Sequence, residues 1–184
     1  MSTEKITEKT LVNIVRVEIV TEEETPKIYR FDTADEATYA PVVSEGLETI
    51  LRVKNKILAT NKTENLQYGS DITMKQVTMV PEVLAIVDGG TLTKESDKVT
   101  GYKPPVVGTV VNRIRFTLKV YTEEKEADGE TLGYQCFLFP GCKGKPVSFN
   151  FKDGEFMAPQ YTIASRVPKG QAPYDLKFLD TLPV

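Results

Sequence analysis

Hydrophobic and polar residues alternate along most of this chain, and only one stretch breaks the period. Val15, Val17 and Ile19 alternate with Arg16 and Glu18, the two-residue repeat of a strand with one buried face. The same repeat runs through Val110, Ile114, Phe116, Leu118 and Val120, set against Arg113, Arg115, Thr117, Lys119 and Tyr121. Leu51, Val53 and Ile57 oppose Arg52, Lys54 and Lys56, which predicts a strand with one basic face. Lys27–Phe31 follows a charged turn, Glu22–Pro26. Leu132–Phe139 is apolar on both faces apart from Gln135, as in a strand covered on both sides. Val147, Phe149 and Phe151, a turn at Asp153-Gly154, and Tyr161 and Ile163 predict a hairpin.

The exception lies in DITMKQVTMVPEVLAIVDGG, from Asp71 to Gly90, where an alternating strand leads into a helix. Pro81 suits the first helical position, where its missing N–H costs nothing, and Val80 before it is held extended. Gly89-Gly90 supplies the left-handed stop, and Val83, Leu84 and Val87 form one apolar stripe. A helix of about two turns does not stand alone in water, so it must plug the face or end of a sheet.

The segments between are read as connections. Asp32–Gly46 has little periodicity and contains Pro41, which predicts a long protruding loop; Thr91–Pro105 reads as a polar connection. Glu123–Glu130 reads as an acidic hairpin tip turning at Asp128-Gly129. The ends, 1–10 and 173–184, read as arms. The sum is one mainly β domain over 1–184, with about eight strands in two packed sheets of sandwich or half-barrel form, one short flanking helix and long loops.

Composition then narrows the chemistry. Histidine is absent, which removes Ser-His-Asp and Cys-His sites together with the commonest metal ligand. Cys136 and Cys142 flank FLFPG; two thiols without histidine do not complete a zinc site, and they are read as buried or half-buried free thiols. Gly141-Cys142-Lys143-Gly144-Lys145 lacks the spacing of a phosphate loop and reads as a hairpin turn. The paired acids lie in runs that keep sheet edges solvated. No enzyme activity, cofactor or metal is expected. No apolar run reaches membrane-spanning length, and MSTEKITEKT has no secretion-signal core, so synthesis and assembly in the cytoplasm are expected.

Charge is divided unevenly along the chain. Residues 1–48 carry net −6 and residues 49–184 net +3. Acidic N-terminal surface is therefore expected to meet basic surface from later strands, within one chain or between copies, with Arg52, Lys54 and Lys56 as candidate inter-subunit charges. A strand-built chain with open edges and protruding segments, and no catalytic constellation, points to self-assembly.

Three stretches carry a resemblance: ATYAPVVSEGLETILRVKNKILATNKTENLQYGSDITM (Ala37–Met74), VPEVLAIVDGG (Val80–Gly90) and PVSFNFKDGEFMAPQYTIASR (Pro146–Arg166). In these the chain resembles the major tail proteins of long-tailed bacteriophages, the tail tube family. The resemblance implies two packed sheets flanked by a helix at Pro81–Asp88, and hexameric rings whose inner sheets join into one barrel. It also implies stacking of those rings into a conduit for DNA. It places an inter-ring loop at Thr38, Tyr39, Pro41, Val42, Val43 and Glu45, and arms at the two ends. As partners it implies further copies of the chain, a tape measure protein, and tail tip and terminator proteins, with DNA passing unbound and the virion as the location. Family lumens are acidic, so Arg52, Lys54, Lys56, Arg113, Arg115 and Lys119 are expected at subunit interfaces or outside, unless this lumen is less acidic than the family's. A tube of a contractile or bacteriocin tail, and a capsid-decorating or receptor-binding virion module, are the alternatives.

Overall fold

In the computed structural model, residue 4 and residues 6–184 are described, so part of the arm expected over 1–10 lies outside the described residues. The elements follow in the order β1 (Leu11–Thr21), β2 (Ile28–Phe31), β3 (Ala34–Ser44), β4 (Glu48–Val53), β5 (Lys56–Lys62) and β6 (Leu66–Gln76). After them come α1 (Pro81–Asp88), β7 (Thr91–Glu95), β8 (Lys98–Lys103), β9 (Phe116–Lys125), β10 (Thr131–Gly144), β11 (Gln160–Ser165) and β12 (Asp175–Leu179).

Eight strands share one antiparallel sheet, in the order β2-β1-β9-β10-β11-β6-β3, with β12 added to β10. The two layers expected from the sequence arise because β10 serves both ends of that order. Tyr134–Leu138 pair with β9 on one side and β12 on the other, whereas Cys142–Gly144 pair with β11. Between them, at Pro140-Gly141, the register slips and Gly141 takes φ 62°, a bulge that turns the strand. The sheet thereby folds over itself. Val17, Ile19, Leu118, Val120 and Phe139 from one half meet Ile72, Met74, Tyr161 and Ile163 from the other in a single core.

The helix closes this core. Val80 is extended (φ −108°, ψ 105°), Pro81 opens the first turn, and Gly89 (φ 85°) donates its N–H to Ala85 O at 2.9 Å. Val83, Leu84 and Val87 are buried as expected, and Ile86 joins them. Packing against β10 is so close that a Cβ on Gly144 would lie 1.9 Å from the Val87 carbonyl oxygen. Asp88 then ties the helix end to its surroundings. Its carboxylate accepts hydrogen bonds from the Tyr102 hydroxyl and from Val147 N (3.2 Å), and its carbonyl accepts one from Arg113 Nε at 2.9 Å.

Several expectations fall at this level. The segment read as a loop over 32–46 is strand β3, paired along its length with β6. It is an edge strand whose outer side needs no ladder, so Pro41 is tolerated, and its apolar residues Ala37, Tyr39, Ala40, Val42 and Val43 do not keep a two-residue period. Thr91–Pro105 holds the β7–β8 hairpin. The strand expected from Val110 starts only at Phe116; Val110 is fully exposed, since nothing packs on the alternation before that point. The hairpin expected over 148–163 keeps one bridge, Ser148 to Gln160, and Phe156 on it is wholly exposed. Gly141–Gly144 ends β10 instead of forming a hairpin turn, and both cysteines lie on that strand. The twelve strands among the described residues exceed the expected eight because β3, β7, β8 and β12 lie in segments read as connections or an arm, and because β4 and β5, read as one strand, are the two arms of a hairpin, while the strand expected over 147–151 does not form.

Candidate assembly surfaces

β3 and β6 run past the body of the sheet, and the chain continues beyond them as β4 and β5, turning at Lys54-Asn55. The neck is stitched by Gly46 N to Asn65 Oδ1 (2.8 Å), Leu47 N to Thr63 Oγ1 (2.7 Å) and Thr63 N to Leu47 O (2.9 Å). Only glycine fits at position 46, where a Cβ would lie 1.8 Å from the Thr63 carbonyl oxygen. At about 3.3 Å per residue the two arms reach roughly 20 Å from this neck.

Every residue of β4 and β5 is exposed. The register sets Ile50 and Ile57 on one face of the hairpin and Leu51 and Val53 on the other, and each of the four is at least 50% exposed. An isolated two-stranded hairpin is marginal in water, and here neither face is covered. Its tip is basic. Arg52, Lys54 and Lys56, expected on one face of a continuous strand, flank the turn instead, and Lys54 occupies the left-handed region at φ 51°. Arg52 Nε donates to Lys54 O at 2.9 Å, and none of the three has an ion-pair partner among the described residues.

The residues expected to form a protruding loop divide between the body and the neck. Tyr39 packs inward: its ring lies 5.7 Å from Phe139 and 5.4 Å from Tyr174, and its hydroxyl accepts from Gln67 Nε2 at 2.8 Å. Thr38, Pro41 and Val43 lie exposed along β3, Val42 is half-buried, and Glu45 stands exposed at the neck. Pro81, Val83, Leu84 and Val87 belong to the helix that seals the core, so this stripe is not a docking face in the single chain.

Three of the acidic N-terminal side chains, Glu18, Glu22 and Glu36, have partners within the chain. Glu18, buried on β1, meets Arg30 at 3.0 Å, Lys119 at 3.4 Å and Arg16 at 3.7 Å. It also accepts from the Tyr121 hydroxyl, whose pKa is raised by burial and by the neighbouring Cys136 and Glu18. Glu22 meets Arg115 at 3.4 Å and Glu36 meets Lys75 at 2.6 Å. Asp71 joins Lys145 (2.8 Å) and Arg166 (2.9 Å); burial pushes its pKa up, but these two cations outweigh that and hold it below the usual range. Cys136 and Cys142 are buried free thiols, and burial pushes Cys142 up to about 12.

Two further surfaces were not singled out from the sequence. Val106, Val107 and Val110 are exposed on the segment before β9, and Phe149 and Phe151 stack 6.3 Å apart on the segment before β11. For Val106 and Val107 the signal was present, since they lie between Pro104-Pro105 and Gly108 outside any strand period, whereas Val110 was counted into the repeat that leads to β9. A small opening of about 180 Å³ between the sheet halves, lined by Ile14, Tyr39, Val120, Phe137 and Phe139, continues the core. Among the described residues no group of three or more His, Cys, Asp or Glu is placed to hold a metal, and no helix is long and apolar enough to cross a membrane.

No protein-family model matches this sequence, and no curated protein matches it. Among solved structures the fold is similar to a chain of the anti-feeding prophage baseplate, determined by cryo-EM with six-fold symmetry imposed, over 97% of each chain with 8% identity and a TM-score of 0.43. A likeness this loose assigns no role.

Proposed function

We propose that the chain is a structural virion protein, without enzymatic activity, that assembles into hexameric rings stacked as a phage tail tube, the conduit for DNA. The observation that carries self-assembly is the β4–β5 hairpin, which projects from the body with apolar side chains bare on both faces. Bare apolar area on a projecting element marks a protein contact, and two such faces call for neighbours on both sides. The open edges of β2 and β3 add unpaired backbone that neighbouring copies would satisfy. The tail-tube assignment within that reading is supported by the resemblance of Ala37–Met74, Val80–Gly90 and Pro146–Arg166 to major tail proteins. Net charge agrees with a conduit. Six copies at −3 each carry about −18, which repels a polyanion, whereas a basic bore would hold it.

Replacing residues 47–63 by a short Gly-containing turn tests the reading. The shortened chain is expected to keep its core, and hence the cooperative melting of the full chain, because no β4 or β5 side chain is buried. In sedimentation velocity it stays monomeric at concentrations where the full chain grows. Equal growth of the two chains would remove the hairpin from the assembly contact.

A further inference from the structure

Among the described residues, four turns join consecutive paired strands, and their charges differ. At β7–β8, Lys94 and Lys98 offset Glu95 and Asp97. At β1–β2, Glu22 is bound to Arg115 and Lys27 partly offsets Glu23 and Glu24. The remaining two carry one sign each. Arg52, Lys54 and Lys56 surround the β4–β5 turn with no acid nearer than Glu48, and Glu126, Asp128 and Glu130 surround the β9–β10 turn, where the one nearby cation, Lys125, is engaged by Glu123 at 3.2 Å. All six of these side chains are exposed, and none has an ion-pair partner among the described residues.

We infer that the basic β4–β5 tip of one copy docks on the acidic β9–β10 turn of a second copy. The inference rests on the self-assembly reading and names the contact within it. Like charges crowded on one turn repel, and an opposite triplet relieves both turns at once. Among the N-terminal acids, Glu18, Glu22 and Glu36 are held by cations of their own chain, whereas the β9–β10 turn gathers three acids without ion pairs at one projecting point. Apolar side chains stand beside both turns, Val53 and Ile57 at the basic tip and Leu132 at the acidic one, each more than half exposed, so the contact buries apolar area as well. Because the two patches differ, the contact is head-to-tail, the kind that propagates into rings or stacks instead of ending at a dimer.

A charge swap tests it, read as tube growth by light scattering at low salt, with melting curves to check that each variant is folded. Lys54→Glu with Lys56→Glu should slow growth by about tenfold or more, and so should Glu126→Lys with Glu130→Lys. The chain carrying all four substitutions should recover to within about threefold of the unaltered protein, since paired reversals restore the attraction. If either double reversal leaves growth unchanged, or the fourfold variant remains as slow as the doubles, the docking is overturned while self-assembly stands. If the unaltered chain stays monomeric in sedimentation velocity at every concentration, the self-assembly reading falls and this contact with it.

Discussion

Single residues in this chain separate what holds the fold from what decorates it. The Tyr161 hydroxyl is fully buried without a hydrogen-bond partner among the described residues, and burial pushes its pKa up to about 12. Tyr161→Phe removes that orphan group while keeping the ring, so stability is expected to be unchanged or to rise by about 1 kcal/mol in chemical denaturation; a clear loss would mean that the hydroxyl is bonded in solution. Asp71 makes the opposite case. Its pKa is lowered in the folded state, so its contribution is complete above the unfolded value of about 3.9 and is lost as pH falls through the folded value. Asp71→Asn should therefore flatten stability against pH below about pH 4, by no more than about 1 kcal/mol because the carboxylate is still partly in water. An unchanged acid slope would show that Lys145 and Arg166 do not hold it. Such details were not legible in the sequence, since a hydroxyl's partner is set by strands far apart along the chain.

Elements were legible where they bury something. The helix announced itself through Pro81, its apolar stripe and Gly89-Gly90, and β1 through Val17 and Ile19, because those residues carry the core. β3 and the β4–β5 hairpin were not legible because neither keeps a period: β3 slips register between Val42 and Val43 although Tyr39 packs inward, and the uncovered hairpin has apolar residues pointing both ways. The bend that folds one sheet into two layers rests on Gly141, which composition alone presented as part of a loose glycine-lysine turn. Close packing at the other end of β10 gives a sharp prediction. Gly144→Ala sets a methyl against the Val87 carbonyl, so helix or strand must shift, at a cost of about 3 kcal/mol in thermal or chemical unfolding. A near-neutral result would mean that the helix is not seated there as described.

At the scale of the whole molecule, the core closes within one chain while the projecting parts stay bare. The division of charge expected from the sequence is met in part inside the chain, by Glu18, Glu22 and Glu36 with their cations, and two hairpin tips carry unpaired charge of one sign each. That distribution suits a subunit that folds alone and presents complementary tips to its neighbours. It leaves the overall charge negative, which agrees with the proposed conduit for DNA. Negative-stain electron microscopy of the purified chain at high concentration, with and without a tail-tip initiator, tests the central claim most directly. The account predicts hollow tubes of stacked six-fold rings; particles that remain single subunits under every condition would contradict it.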